Sequence, residues 1–287
     1  MNQKGSGWIN GFLGVLIFSG SLPATRLAVM DFDPLFLTVF RATIAGVLAG
    51  VLLIILRQKK LVRSDIFPLF KVALCVVVGF PLLTALALQY VTSAHAIIYL
   101  GLLPLSTAIF GVLRGGERPK PAFWVLSVLG SCLVVGFALT EGPTSSPIGD
   151  TLMLASIIVC GYGYAEGARL SRKLGGWQVI SWSLVLSFPL MLMLTLYYLP
   201  ASWASIHGSA ILSLVYVSVF SMLIGFVFWY RGLARGGIAA VGQLQLLQPF
   251  FGLVLSAIVL HESISWTMFV VNIGVVLCVA IARRFAS

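Results

Sequence analysis

The sequence is 287 residues long, with 60% hydrophobic residues, 9% charged residues and a mean hydropathy of +1.06. Soluble globular domains carry about 25% charged residues, so this composition excludes a soluble nucleic-acid-binding protein and a cytosolic enzyme. The net charge of +10 therefore needs an explanation other than binding to a polyanion.

Ten apolar segments follow one another along the chain, separated by short polar stretches. A helix needs about 20 apolar residues to cross the hydrocarbon layer, and these segments are continuously apolar rather than alternating. They predict ten transmembrane helices, which leave no room for a soluble domain. The predicted spans are 8–28, 35–56, 67–89, 94–113, 121–139, 150–170, 177–199, 209–231, 238–260 and 264–282.

The basic residues are distributed unevenly between the two sides that ten spans define. With an even number of spans both termini lie on one side, and all eighteen Lys and Arg residues except Arg26 and Arg41 fall on that side. Basic residues accumulate on the cytoplasmic side of membrane proteins. The pattern predicts that both termini are cytoplasmic, with the lipid bilayer rather than a nucleic acid as the partner of this chain.

The two halves of the chain are weakly similar to each other. A shift of 145 residues places Pro104 on Pro249 and Glu117 on Glu262, with the same 13-residue spacing, and it also matches Leu88, Ala94 and Leu102 with Leu233, Ala239 and Leu247. Five spans per half is an odd number, so the second half must be inverted in the membrane. We therefore predict an all-α integral membrane protein, with repeats at 1–140 and 148–287.

Short motifs in both halves resemble a known family. The runs Ala87–Ala96, Leu103–Leu105 and Gly115–Arg118 resemble the first EamA repeat of the drug/metabolite transporter superfamily, and Gly232–Arg235, Gln248–Phe250 and His261–Glu262 resemble the second. The chain is most similar to the bacterial aromatic amino-acid exporters. This resemblance implies a central substrate cavity, a bacterial inner membrane location and amino acids as cargo.

Two prolines and two polar stripes mark the predicted cavity. Pro104 and Pro249 remove a backbone hydrogen bond at corresponding places, which favours hinges, although static kinks would look the same. Polar residues within spans face protein or water, so the stripes predict either cavity lining or interhelical hydrogen bonds. The stripes contain His95, Tyr99 and Ser106 on span 4, and Gln245 and Gln248 on span 9.

One charged and two aromatic residues complete the predicted cavity. Arg41 lies about 10 Å into span 2 at 1.5 Å per residue. There it attracts a substrate carboxylate, extends to the interface or forms a fixed ion pair. Tyr162 and Trp182 offer aromatic faces to a flat cargo, and Tyr164 is a further candidate for such a face. We expect the other tryptophans to anchor the protein at the membrane interface. These residues are Trp8, Trp177, Trp203, Trp229 and Trp266.

The sequence carries no signature of an enzyme, a cofactor or a metal site. The four cysteines show no paired spacing, and His261-Glu262 lacks the second histidine of a zinc-protease motif. We therefore predict no cofactor, no metal and no required protein partner, so that a monomer suffices. The family resemblance implies a transporter that exports amino acids or flat organic cations by alternating access. The alternatives are a broad-specificity facilitator or a channel-like pore, and an integral membrane enzyme is the least favoured.

Overall fold

A computed structural model describes residues 3–58, 61–140, 146–200, 202–203, 206–282 and 285. Lys59, Lys60, Arg283 and Arg284, which belong to the basic residues counted above, lie outside these ranges. The described residues form ten helical segments at the predicted positions. The segments are α1 Gly5–Ala28, α2 Pro34–Ile55, α3 Arg63–Tyr90, α4 Ser93–Gly115, α5 Pro121–Thr140, α6 Pro147–Leu174, α7 Gly176–Tyr197, α8 Gly208–Gly236, α9 Ile238–Leu260 and α10 Trp266–Ala282.

Eight of these helices are long and apolar enough to cross a membrane, and the apolar stretches Pro121–Gly130 in α5 and Trp266–Ala282 in α10 are shorter. This agrees with the prediction of an all-α integral membrane protein. Helix α6 is longer than the predicted span because Arg172 and Lys173 continue it, until Gly175 ends it with a φ of +98°.

Helix pairing follows the repeat. Helix α2 packs against α7 and α5 against α10, so each contacts its counterpart in the other half. Helix α1 packs against α8, and the equivalent pair α6 and α3 also packs together. These pairings relate the two halves by an approximate twofold rotation, and the inner faces of α1, α2, α3, α6, α8 and α9 surround the centre of the bundle.

Two pairs of equivalent helices are interrupted at equivalent places. Wider π-helical turns occur at Ala73–Gly79 in α3 and at Tyr216–Ile224 in α8, which overlap after the shift of 145 residues. Helix α4 breaks at residues 101–102, and α9 narrows to a 3₁₀ turn at Gln243–Leu246. Irregular turns inside helices often accompany functional sites.

Glycines allow α1 and α8 to approach until their backbones touch. A Cβ atom added to Gly232 would lie 2.7 Å from the backbone nitrogen of Gly11, and one added to Gly7 would lie 2.8 Å from that of Gly236. Such contacts are typical of close-packed membrane helices. The seam fixes α8 directly against α1.

Trp229 corrects one expectation from the sequence. It is fully buried and does not lie at the membrane interface as an anchor. Its ring contacts Phe18 and Tyr164, at centroid distances of 6.3 Å and 5.5 Å. Gly14 lets the backbone of α8 approach α1 at this residue, because a Cβ added to Gly14 would lie 3.1 Å from the backbone nitrogen of Trp229.

Candidate functional site

A small cavity lies at the centre of the bundle, between the two halves. Its volume is about 20 Å³, which is room for about one water molecule. The conformation is therefore contracted around this site. The lining residues are Phe18, Ser21, Leu22, Arg41, Val76, Phe80, Pro81, Tyr164, Ser221, Phe226 and Gln248.

Arg41 is the charged residue of this lining. Its side chain projects from α2 and is 5% exposed. Nη2 donates to the backbone oxygen of Val217 at 3.1 Å and, over a long 3.5 Å, to the hydroxyl of Ser221. Nε has no hydrogen-bond partner among the described residues. The guanidinium thus retains the Nε–H donor for a further acceptor.

Three aromatic rings form one wall of the cavity. The rings of Phe18 and Phe226 meet edge to face with centroids 5.0 Å apart, and Tyr164 lies 5.8 Å from Phe226. Phe18 and Tyr164 are nearly parallel, with an interplanar angle of 16°. A flat apolar group placed against this wall would gain about 0.5 to 1.5 kcal/mol per aromatic pair beyond its buried area.

Neutral polar groups occupy the remaining positions. The hydroxyls of Ser21 and Ser221 are 2.7 Å apart, and the Gln248 amide donates weakly to the Phe18 carbonyl at 3.4 Å while its Oε1 has no partner among the described residues. Ser221 and Val76 lie in the two π-helical turns and are equivalent in the repeat. The twofold relation of the halves therefore extends into the cavity wall.

Two glutamates join the halves, one at each end of the bundle. The Glu117 carboxylate accepts hydrogen bonds from the backbone N–H groups of Ile238 and Ala239, both at 2.8 Å, at the start of α9. The Glu262 carboxylate accepts from Ser93 at 3.0 Å and Ala94 at 2.8 Å, at the start of α4. Each glutamate therefore caps the partner helix of the other repeat.

The two ends of the bundle differ in charge. The end that carries Glu117 also carries Arg114 and Arg235, and we call it the basic end. The end that carries Glu262 and Asp31 is called the far end. Both carboxylate caps are formed in this conformation, so α4 and α9 are held together at the basic end and at the far end at once.

The predicted residues of span 4 lie beside α6. The His95 ring contacts the Asp150 carboxylate at 2.7 Å, and the Tyr99 ring lies 5.7 Å from that of His95. Ser106 donates to the backbone oxygen of Ile157 at 3.1 Å. The structure thus brings this stripe together but on the α6 side of α4, outside the central cavity, and Asp150 is a partner that the sequence did not indicate.

Of the other predicted residues, the structure brings Arg41 and Gln248 to the central cavity. Gln245 is fully buried nearby, and its side-chain atoms have no partner among the described residues. Tyr162 packs edge to face on Phe110 at 5.4 Å, and Trp182 packs partly buried against the core. Contact of any of these side chains with cargo stays a prediction.

The paired prolines each follow a helix break. Pro104 lies in the first turn after the break in α4, and Pro249 in the first turn after the 3₁₀ segment of α9. A proline lacks a backbone N–H and is tolerated at the start of a helix. The two halves of each helix are therefore joined by fewer backbone hydrogen bonds, which is compatible with the predicted hinge role and does not test it.

Within the described ranges, no group of three His, Cys, Asp or Glu residues is placed to hold a metal ion. Cys75 and Cys160 lie inside the bundle as free thiols. The chemistry available at the centre is binding, by one guanidinium, neutral hydroxyl and amide groups, and aromatic rings.

Comparison with known proteins identifies relatives of the whole chain. Residues 5–139 and 147–284 each match the model of the EamA-like transporter family. The chain is 70% identical over 287 residues, the full length of both, to a Bacillus subtilis (strain 168) protein named uncharacterized transporter YdeK. It is 23% identical over 255 residues to an uncharacterized transporter of Archaeoglobus fulgidus, covering 87% of this chain and 88% of that one.

A crystal structure of a protein 21% identical in sequence has the same fold. It aligns with a TM-score of 0.72 and covers 99% of this chain and 100% of that chain. At this identity the likeness concerns the fold alone.

Proposed function

Because the chain belongs to the EamA-like transporter family, we propose that this membrane transporter exports amino acids with bulky apolar or aromatic side chains. Export runs across a bacterial inner membrane, with both termini in the cytoplasm. The observation that supports this cargo is the central cavity, where Arg41 faces a wall formed by Phe18, Tyr164 and Phe226.

The lining matches the two ends of such a cargo. An aromatic side chain stacks on the ring wall, while the carboxylate accepts a hydrogen bond from the Nε–H donor of Arg41. Ser21, Ser221 and Gln248 supply hydrogen bonds without additional charge. Stacking stabilises any flat ring against the wall, so we expect broad specificity among apolar side chains.

Transport requires the cavity to expand and to open at one end at a time. A volume of about 20 Å³ is far smaller than an amino acid, so the cavity must expand. We expect the helix pairs α3–α4 and α8–α9 to move relative to the rest of the bundle. Opening the far end breaks the Glu262 cap, and opening the basic end breaks the Glu117 cap. The inverted repeat lets each half take the conformation of the other, with Pro104 and Pro249 at the flexing points.

Reconstituted vesicles test this proposal. We expect saturable uptake of phenylalanine and tryptophan in preference to glutamate and a sugar phosphate. Tyr164→Ala should lower uptake of the aromatic amino acids several-fold through loss of stacking. Tyr162→Ala is the matched control, because this tyrosine lies two residues away on the same helix and packs on Phe110 instead.

Preference for the two anionic solutes, or equal uptake by Tyr164→Ala and the wild type, would contradict the proposal. Uptake that does not saturate would favour the channel-like alternative. A loss in Tyr162→Ala that matches the loss in Tyr164→Ala would move the cargo to the α4–α6 side of the bundle.

A further inference from the structure

Every acidic residue that the structure describes has partners away from the central cavity. Three of them contact basic side chains, namely Asp65, Glu166 and, through Arg172 at 3.7 Å, Glu117. The other four bind backbone N–H groups or histidines. The pairs are Asp31 with His207, Asp33 with the N–H groups of Leu35 and Phe36, Asp65 with Lys173, Glu117 with Ile238 and Ala239, Asp150 with His95, Glu166 with Arg114 and Arg169, and Glu262 with Ser93 and Ala94.

Arg41 is consequently a buried cation without a counter-charge in the described part of the chain. No ion pair to any of these carboxylates includes it, and it is 5% exposed. A buried charge is strongly unfavourable unless an opposite charge and hydrogen bonds compensate it. Charged residues buried within a membrane protein usually take part in binding or transport.

We infer that the obligatory group of the cargo is a carboxylate and that an amino group is not recognised, so aromatic or apolar monocarboxylates without an amino group are substrates. The inference rests on the proposed function for the location of the cargo in the central cavity. It differs from that proposal by naming an organic anion as the better ligand.

The charge of the lining supports this preference. A carboxylate beside Arg41 neutralises the cavity, and a planar guanidinium can bind it with two parallel hydrogen bonds. The ammonium group of an amino acid meets no carboxylate in the lining. Its available acceptors are the Oε1 atom of Gln248 and the hydroxyls of Ser21 and Ser221, and it also experiences the repulsion of Arg41.

The number of cations limits the anions that fit. A single guanidinium compensates one negative charge, and the lining residues include no second basic side chain. A dicarboxylate or a phosphate ester would leave one charge uncompensated in an apolar surrounding. The cavity should therefore select monoanions with an apolar tail.

Direct uptake of four related compounds into proteoliposomes tests this inference. The compounds are 3-phenyllactate as the monoanion, phenylalanine as the zwitterion, phenylalaninamide as the cation and phenylsuccinate as the dianion. We expect phenyllactate to have a lower KM than phenylalanine, with the amide and the dianion at least tenfold weaker than phenyllactate.

Substitutions of Arg41 test the carboxylate contact. Arg41→Gln should raise the KM for phenyllactate at least tenfold, and Arg41→Lys should restore part of the affinity because it keeps the charge. Purified protein that keeps the melting temperature of the wild type excludes misfolding as the cause. If Arg41→Gln does not fold, the Arg41→Lys variant and the four-compound comparison on the wild type still test the carboxylate contact.

The outcomes separate this inference from the proposed function. Uptake of phenylalanine without phenyllactate would overturn the inference and leave amino-acid export standing. Uptake of phenyllactate without phenylalanine would support the inference and contradict amino-acid export. Equal affinity for the amide and phenyllactate, an unchanged KM in Arg41→Gln, or no uptake of either acid would overturn the inference.

Discussion

Glu117 and Glu262 make the same contact at opposite ends of the bundle. Each carboxylate binds the first N–H groups of a helix, where the partial positive charge of the helix also favours an anion. Capping by a side chain contributes about 1 kcal/mol. If the two ends open alternately, as proposed, the two residues are among the local contacts that oppose opening at their own ends.

We predict that removal of either charge loosens one end only. In a protein whose four native cysteines are replaced, Glu262→Gln should speed the reaction of a cysteine placed in the cavity with a thiol reagent added from the far end. Glu117→Gln should do so from the basic end. Each variant is the control for the other. If either variant speeds the thiol reaction equally from both ends, the two caps do not act independently.

The contact between Asp31 and His207 makes the far end sensitive to pH. The backbone N–H of His207 donates to the Asp31 carboxylate at 2.7 Å, and this bond, together with the imidazole, lowers the pKa of Asp31 below its ordinary value of 3.8. The carboxylate joins the loop after α1 to the residues before α8. Its contribution to stability is present above pH 3.8 and is lost as the pH falls through the lowered pKa.

We predict that Asp31→Asn lowers the melting temperature at neutral pH and that the difference from the wild type shrinks as the pH falls below 4. Thermal unfolding in detergent between pH 3 and pH 7 measures this. Asp33→Asn is a comparison variant on the same loop, because Asp33 caps α2 without a histidine partner. A difference that is constant with pH would contradict the role of the Asp31 charge.

The limits of the sequence at the residue scale are physical. The recurrence of Glu117 and Glu262 is visible in the sequence, but their partners are backbone N–H groups that no residue type reveals. Tyr162 and Tyr164 both lie in the apolar run of α6 that precedes Glu166, so periodicity does not distinguish them. At 100° per residue they nevertheless point about 200° apart.

At the scale of elements, the helices and their order were predictable and the orientation of their faces was not. Ten long apolar runs and a repeated proline are strong signals of spans and of the repeat. The polar stripe of α4 was open to two interpretations, and the structure places it against α6, where Asp150 and the Ile157 carbonyl satisfy it. Asp150 lies at the start of a span, so its contact with His95 depends on packing that periodicity does not describe.

The seam between α1 and α8 gives a prediction about stability. Gly232→Ala should lower the melting temperature, because its Cβ would lie 2.7 Å from the Gly11 nitrogen and the helices must separate. Overpacking of this kind costs about 1 to 3 kcal/mol. Gly208→Ala on the same helix is the control, since nothing lies within 4 Å of its added Cβ. Equal melting temperatures for Gly232→Ala and the wild type would show that α1 and α8 can separate at this contact without loss of stability.

At the scale of the whole molecule, the orientation in the membrane is open to direct measurement. Arg118 at the basic end and Ser209 at the far end are both exposed. In a protein without its native cysteines, we predict that an impermeant thiol reagent labels Ser209→Cys in intact cells and labels Arg118→Cys only after permeabilisation. The excess of basic residues at one end is the reason, and the reverse labelling would invert the topology.

If Arg41 selects a monocarboxylate, as inferred above, the net charge of the cargo ties transport to the membrane potential. A monocarboxylate leaving a cell whose interior is negative moves down the electrical gradient, which supplies about 2.3 kcal/mol for one charge at 100 mV. That corresponds to an outside excess of about 50-fold at balance, without a coupled ion. A zwitterion carries no net charge and gains nothing from the voltage. The same protein would therefore accumulate hydroxy acids outside the cell and merely equilibrate amino acids.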